Sequence, residues 1–233
     1  MRADIAAKDE HSAIVASRRL TLDDVKRGTV EWVRRSFDIA ISASALVITA
    51  PLLLVIVIAI RLESPGPAVF RQARVGRNGR PFTFYKFRGM FTNAFERWPE
   101  LYAYEYSADE IGDLYFHPRV DPRVTRVGRF LRATSLDELL NFWNVLRGDM
   151  AVVGPRPEIP EMIRYYGEAA AVVLSVKPGV TSLAKVTGRD ELTFAETLRL
   201  DLEYVERRSL TLDLKIVAAT LLTVILRQGV LAG

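Results

Sequence analysis

The chain of 233 residues contains no cysteine. That excludes a disulfide framework, a thiolate metal site and a cysteine nucleophile. His11 and His117 are its only histidines, which argues against multi-histidine metal sites and histidine relays. The sequence holds no P-loop, no glycine-rich dinucleotide fingerprint and no HExxH motif. It shows no internal repeat and no low-complexity tract. Charge of one sign is also scarce: 32 basic and 28 acidic residues leave a net charge of +4. With so small an excess, nucleic acid is a poor partner. Apolar residues make up 49% of the chain, which excludes disorder throughout and allows a sizeable core.

What is present is unevenly distributed. Residues 39–60 form a run of 22 without a charge, long enough to reach across a hydrocarbon core of about 30 Å as a straight helix. It is not an N-terminal signal peptide, because 38 charge-rich residues precede it. Residues 61–80 carry five arginines and one glutamate, net +4, so the whole charge excess lies just after the run. Arg34 and Arg35 precede the run, and both flanks are therefore basic. Basic flanks mark the cytoplasmic side of a membrane segment. Pro51 lies just past the middle, where it removes a helix hydrogen bond and forces a kink. Two readings fit: a re-entrant helix with both ends in the cytoplasm, or a single-pass anchor whose proline is tolerated. The arginines of residues 61–80 read as a collar that docks the chain on the bilayer.

Residues 1–33 read as a polar helix or tail, with Thr21 as its N-cap. Val69–Phe70 and Phe82–Phe87 read as short strands with Gly79 near the turn between them. Residues 91–118 are rich in aromatic and acidic side chains, among them Phe91, Phe95, Trp98, Tyr102, Tyr104 and Phe116. They read as packing plus a surface insertion, or as an interfacial belt or lid. Leu136, Leu139, Leu140, Trp143 and Leu146 recur at helical spacing and predict one apolar stripe, with Asn141 and Asn144 off it. Residues 158–173 and 194–207 read as helices, and 180–186 as a strand or hairpin. Residues 216–226 are uncharged, too few to span a bilayer, and read as core or as an interfacial helix.

Four clusters carry chemistry. Ser135 followed by Glu138 has the spacing of a capping box, which would only start a helix. The same turn holds Asp137 and Glu138, where a helix N-terminus would favour their ionised forms. An ionised aspartate can be a nucleophile, and a neighbouring carboxylate can hold a divalent metal. In Gly154-Pro155-Arg156-Pro157 two prolines aim one arginine, a side chain suited to bidentate phosphate binding, or else form a rigid turn with a solvated arginine. Lys86 and Arg88 share one face of a strand, a cation pair or simply a polar face. Gly188-Arg189 presents a further cation on a glycine turn, or one half of a surface ion pair. Together these make a basic, metal-capable site for a polyanion beside a membrane.

The chain resembles the bacterial sugar transferase family, the monotopic polyprenol-phosphate phosphoglycosyl transferases. The resemblance is carried by Arg34-Arg35-Ser36-Phe37-Asp38 and the proline-containing helix, then by Val69-Phe70-Arg71-Gln72-Ala73-Arg74-Val75-Gly76 and Tyr85-Lys86-Phe87-Arg88-Gly89-Met90. It continues through residues 121–132, Thr134-Ser135-Leu136-Asp137-Glu138-Leu139, Val153-Gly154-Pro155-Arg156-Pro157, Lys177-Pro178-Gly179-Val180-Thr181 and Gly188-Arg189. It departs at Leu183, Lys185 and Thr187, where the family usually has tryptophan, glutamine and asparagine.

The resemblance implies transfer of a phospho-sugar from a UDP-sugar to a polyprenol phosphate, undecaprenyl phosphate in bacteria, with release of UMP. This would be the first membrane step of a surface glycan pathway. Asp137 would form a covalent phosphosugar intermediate in a ping-pong course. Glu138, with Asp137, would hold Mg²⁺. Arg156, Lys86, Arg88 and Arg189 would contact phosphate or uridine. The implied fold is α+β and mostly helical: a proline-broken re-entrant membrane helix, small β-hairpin elements and interfacial amphipathic helices around a cytoplasmic catalytic domain. The boundaries are a 1–33 extension, a 34–62 membrane helix broken at Pro51, and a 63–233 catalytic domain. The implied location is the bacterial inner membrane, with the catalytic domain on the cytoplasmic face. Two other functions compete: a membrane-docked adaptor without activity, and a glycosyltransferase that releases UDP.

Overall fold

The computed structural model describes residues 22–115 and 121–226, so Thr21 and Phe116 lie outside the described residues. The chain divides into one unit ending at Phe37 and a second beginning at Asp38. The side chains that build the candidate site belong to the second.

Leu22–Glu63 is one helix, α1, and it contains the apolar run. Its Thr29–Glu63 portion is long and apolar enough to cross a membrane. Val47, Ile48, Leu54, Val55 and Ile58 on it are exposed, a surface that calls for an apolar partner. The expected break at Pro51 does not divide the element, which runs on as helix through the proline. Proline deletes one N–H, and the remaining bonds of a long helix keep the element together. Near its end, Ile56 and Ile60 turn inward and pack with Ala68, Phe87 and Leu131.

The expected hairpin is present. Strands β1 (Val69–Val75) and β2 (Pro81–Phe87) pair antiparallel, with Phe70 opposite Lys86 and Arg74 opposite Phe82. Asn78 and Gly79 take the positive φ of the connecting turn, at 58° and 74°. Helix α2 (Arg126–Thr134) follows the aromatic segment, then a single 3-10 turn over Leu136–Glu138, then helix α3 (Asn141–Arg147). The end of α1 caps α2 directly. Glu63 accepts the Arg126 and Val127 N–H groups at 2.7 and 2.9 Å, and Thr125 accepts that of Gly128 at 2.9 Å. These bonds satisfy donors that a helix start otherwise leaves open.

A parallel pair supports the other side of the site. Strands β3 (Ala151–Val153) and β4 (Gly179–Thr181) lie side by side; β3 runs into the loop that carries Arg156, and β4 into the helical turn that carries Lys185. Asp38 of α1 accepts the Val152 N–H at 2.8 Å and ties the helix to β3. The short helix α4 (Leu183–Thr187) follows β4, then α5 (Phe194–Arg207) and α6 (Leu210–Leu226). Phe84, Val145, Met150, Val152, Val153, Tyr204 and Ile216 form one core cluster among these elements. A second gathers Ile111, Ile159, Met162, Tyr166, Val173 and Phe194.

Several expectations change. Residues 180–186 are not one strand, because Ser182 caps a helical turn by accepting the Lys185 N–H at 3.0 Å. Residues 158–173 are not one helix but three short pieces, interrupted at Gly167 with φ 53°. The stripe at 136–146 holds only in its first part, where Leu136, Leu139 and Leu140 pack on the cluster of Phe87 and Leu131. Trp143 is exposed while Asn141 and Asn144 are buried. Asn144 accepts the Tyr85 N–H at 3.1 Å and donates to the Thr83 carbonyl at 2.6 Å, so hydrogen bonds to β2 outweigh apolarity here. The aromatic segment is partly core. Ile111 is buried, and Tyr104 and Tyr106 pack on its cluster, whereas Phe95 and Tyr115 are exposed. The 194–207 helix appears as expected, started by a capping box from Thr193 to Glu196.

Candidate active site

The Asp137-Glu138 pair sits on a turn between two helices rather than at a helix start. Ser135 ends α2 in the left-handed region, φ 57°, and makes no side-chain cap. The predicted Ser135–Glu138 capping box therefore does not form. Instead Ser135 Oγ accepts from Arg189 Nη2 at 2.6 Å, and the same nitrogen donates to the Arg132 carbonyl at 3.2 Å. The reversal at Ser135 points Asp137 inward, where it is buried, while Leu136, Leu139 and Leu140 lie against the cluster that holds Phe87 and Leu131.

The cations around the pair come from four elements. Lys86 projects from β2 toward Asp137, with its ammonium 5.5 Å from the centre of the Phe70 ring. Arg132 approaches from the last turn of α2 and Lys185 from α4. Arg156 reaches Glu138's surroundings from the loop after β3. That loop is held by close backbone packing. A Cβ at Gly154 would stand 2.3 Å from the Lys177 carbonyl, while Gly154 N–H donates to Thr181 at 3.0 Å. Only glycine fits between these strands. Arg74 of β1 braces the same loop, donating to the Pro157 carbonyl at 2.9 Å and pairing with Glu158 at 3.3 Å. From α5, the Asp201 carboxylate accepts the Arg156 N–H at 3.4 Å.

These charges separate the two acids. Burial, followed by the charge of Glu138, pushes the Asp137 carboxyl up to about 6, against the pull of Lys86, Arg132 and Lys185. Burial also acts to raise Glu138, but the Lys185 ion pair, Arg156 and Lys86 together hold it well below the usual carboxylate range. Burial pulls the Lys86 ammonium down to about 8, partly offset by Asp137. Two adjacent carboxyls with opposite shifts are suited to different tasks. Asp137 is a buried, weakly solvated carboxyl. Glu138 stays charged and can bind a cation.

The structure brings Asp137, Glu138, Lys86 and Arg156 together, with Arg189 behind the turn. It does not bring Arg88. That side chain is 6% exposed and donates to the Ser64 and Pro65 carbonyls at 2.7 and 2.6 Å. The strand ends at Phe87, so the alternation that would place Arg88 beside Lys86 has already stopped. The basic collar is likewise divided: Arg74, 12% exposed, is spent inside the fold. Lys185 and Arg132 are site residues that motif reasoning did not select. Their signal was weak, since each is a lone cation in a segment read for its shape.

Asp137 and Glu138 have no third acidic or histidine partner grouped with them among the described residues. Two carboxylates alone make a poor cage for a metal. Mg²⁺ is commonly held by one or two carboxylates together with substrate phosphates, and the pair fits that shared arrangement.

Comparison with known proteins places the chain in a family. The family model described as bacterial sugar transferase matches residues 29–227. The chain is 41% identical over 202 residues to a UDP-glucose:undecaprenyl-phosphate glucose-1-phosphate transferase of Caulobacter vibrioides, covering 83% of this chain and 70% of that protein. It is 40% identical over 197 residues to the galactosyl transferase CpsE of Streptococcus agalactiae, covering 84% of this chain and 43% of that protein. It is 37% identical over 196 residues to the exopolysaccharide production protein ExoY of Rhizobium meliloti, covering 84% of this chain and 87% of that protein. The chain thus spans less than half of the streptococcal relative and most of the rhizobial one.

Proposed function

The chain belongs to the bacterial sugar transferase family, and from that premise we propose that it transfers a phospho-sugar from a UDP-sugar to a membrane polyprenol phosphate, releasing UMP. The observation that carries the proposal is the burial of Asp137 beside Glu138 within a ring of Lys86, Arg132, Lys185 and Arg156. Such a ring draws in a diphosphate and screens it from the carboxylate that attacks it.

In the first step an Asp137 carboxylate oxygen bonds to the β-phosphorus of the donor. The bond from that phosphorus to the bridging oxygen breaks, and its electron pair leaves with UMP. Arg156 grips the phosphate being transferred, and Lys86 balances charge at Asp137. Mg²⁺, held by Glu138 and Asp137 with the diphosphate, would neutralise the charge that repels an anionic nucleophile. In the second step an oxygen of the polyprenol phosphate bonds to the same phosphorus, and the Asp137 carboxylate leaves. One covalent carrier makes the course ping-pong. Undecaprenyl phosphate, named for the Caulobacter relative, is the acceptor we carry over.

The exposed apolar surface of α1 supports a membrane setting at the height of the lipid phosphate. Basic residues on both flanks support re-entry with both ends in the cytoplasm, so that the site faces the cytoplasmic side of the inner membrane.

The test is UMP release by the purified protein with Mg²⁺, polyprenol phosphate and a panel of UDP-sugars. UMP should appear with at least one donor. Mass spectrometry with donor alone should find phosphosugar on Asp137, and Asp137→Asn should fold and yield neither. UDP in place of UMP would mean transfer of sugar alone, and no product from any donor would favour an adaptor.

A further inference from the structure

Lys185 does more than add a charge to the ring. Its ammonium donates to Glu138 Oε2 and, at 3.3 Å, to the Val180 carbonyl. The two side chains are 22% and 30% exposed, so the pair stands at the mouth of the site. Lys185 shares a small recess with Ser135, Arg189 and Thr220. The Ser182 cap holds its backbone, while the flexible four-carbon stem leaves the ammonium able to turn. An ammonium on Glu138 and a divalent cation on the same carboxylate repel each other across a few ångströms. One must leave for the other to bind.

We propose that Lys185 is an internal counter-ion that competes with a divalent cation for Glu138 and yields when a diphosphate offers its ammonium a second anion. The inference rests on the reading above, in which Glu138 helps hold the metal. Its consequence is thermodynamic coupling. Metal alone must displace Lys185 without compensation. Metal arriving with a diphosphate finds Lys185 already drawn to phosphate oxygens. Each ligand then raises the affinity of the other by the same factor.

The experiment measures Mn²⁺ binding to the full chain in detergent by electron paramagnetic resonance, with and without UDP, corrected for Mn²⁺ held by free UDP. Lys185→Gln, which keeps a hydrogen-bond donor for Glu138, should bind Mn²⁺ about tenfold more tightly than wild type without nucleotide, and its gain on adding UDP should shrink. Lys185→Ala should move in the same direction. Equal nucleotide-free affinity in wild type and both variants overturns the inference. Glu138→Gln separates the two levels. If it weakens Mn²⁺ binding while the Lys185 variants match wild type, the competition alone is wrong. If Glu138→Gln binds Mn²⁺ like wild type, Glu138 is no ligand and the reading beneath fails as well.

Discussion

Arg189 Nη2 donates to Ser135 Oγ at 2.6 Å, two residues before Asp137, and both residues have positive φ, 52° and 57°. Two non-glycine residues in the left-handed region need neighbours to hold them there. The guanidinium thus fixes the reversal that aims Asp137 inward. Arg189→Ala should lower kcat about ten- to a hundredfold with little change in KM for the donor, because it displaces Asp137, the proposed nucleophile. Arg189→Lys should recover part of kcat. A raised donor KM at normal kcat would instead make Arg189 a phosphate or uridine contact.

Asn144 ties α3 to β2 through both halves of its amide, and it is fully buried. Asn144→Ala strands the Tyr85 N–H and the Thr83 carbonyl and should cost about 2–4 kcal/mol. Urea unfolding should show a lower midpoint at unchanged slope. A loss within experimental error would mean that water replaces the amide.

Gly128 lies against the backbone at Gly89, where an added Cβ would stand 2.0 Å from the Gly89 carbonyl oxygen. Gly128→Ala must push α2 away from residue 89, and with it the turn carrying Asp137. A loss of more than about 2 kcal/mol is expected, the scale of an overpacked contact. A wild-type melting temperature would show that the helix can shift freely.

Asp201 is fully buried, and burial pushes its carboxyl up from 3.8 to about 7, with Glu158 adding to the rise and Arg156 opposing it. Between about pH 4 and 7 the folded chain therefore binds more protons at this site than the unfolded chain. Its contribution is greatest at low pH and falls as pH rises to about 7, then levels off. Asp201→Asn keeps an acceptor for the Arg156 N–H without the charge. Its stability relative to wild type should rise from pH 4 to pH 7, read by unfolding at a series of pH values. A constant difference would mean that Asp201 stays ionised in the fold.

The chain has no native cysteine, so single cysteines report cleanly on membrane topology. Cysteines at Ser12 and Gly66 should both react from the cytoplasmic side if α1 re-enters. Labelling from opposite sides would make α1 a single-pass anchor.

The pattern of residues by itself determined the apolar helix, the β1–β2 hairpin, the Phe194–Arg207 helix and the acidic pair, because each follows from local periodicity, turn chemistry or a short motif. Tertiary structure decided what those residues are used for. Pro51 leaves α1 a single element because one lost hydrogen bond is small against a long helix. Arg88 and Arg74 read as ligand or membrane cations, yet each is held by groups distant in sequence, the carbonyls after α1 and the Glu158 carboxylate. Ser135 would cap a helix if only its neighbours mattered, but Arg189, 54 residues away, holds its hydroxyl instead. Lys185 meets Glu138 across 47 residues, a contact that only the placement of α4 beside the Leu136–Glu138 turn creates. Hydrogen-bond and charge partners brought from far along the chain outweigh local preference wherever burial raises the cost of leaving them unmet.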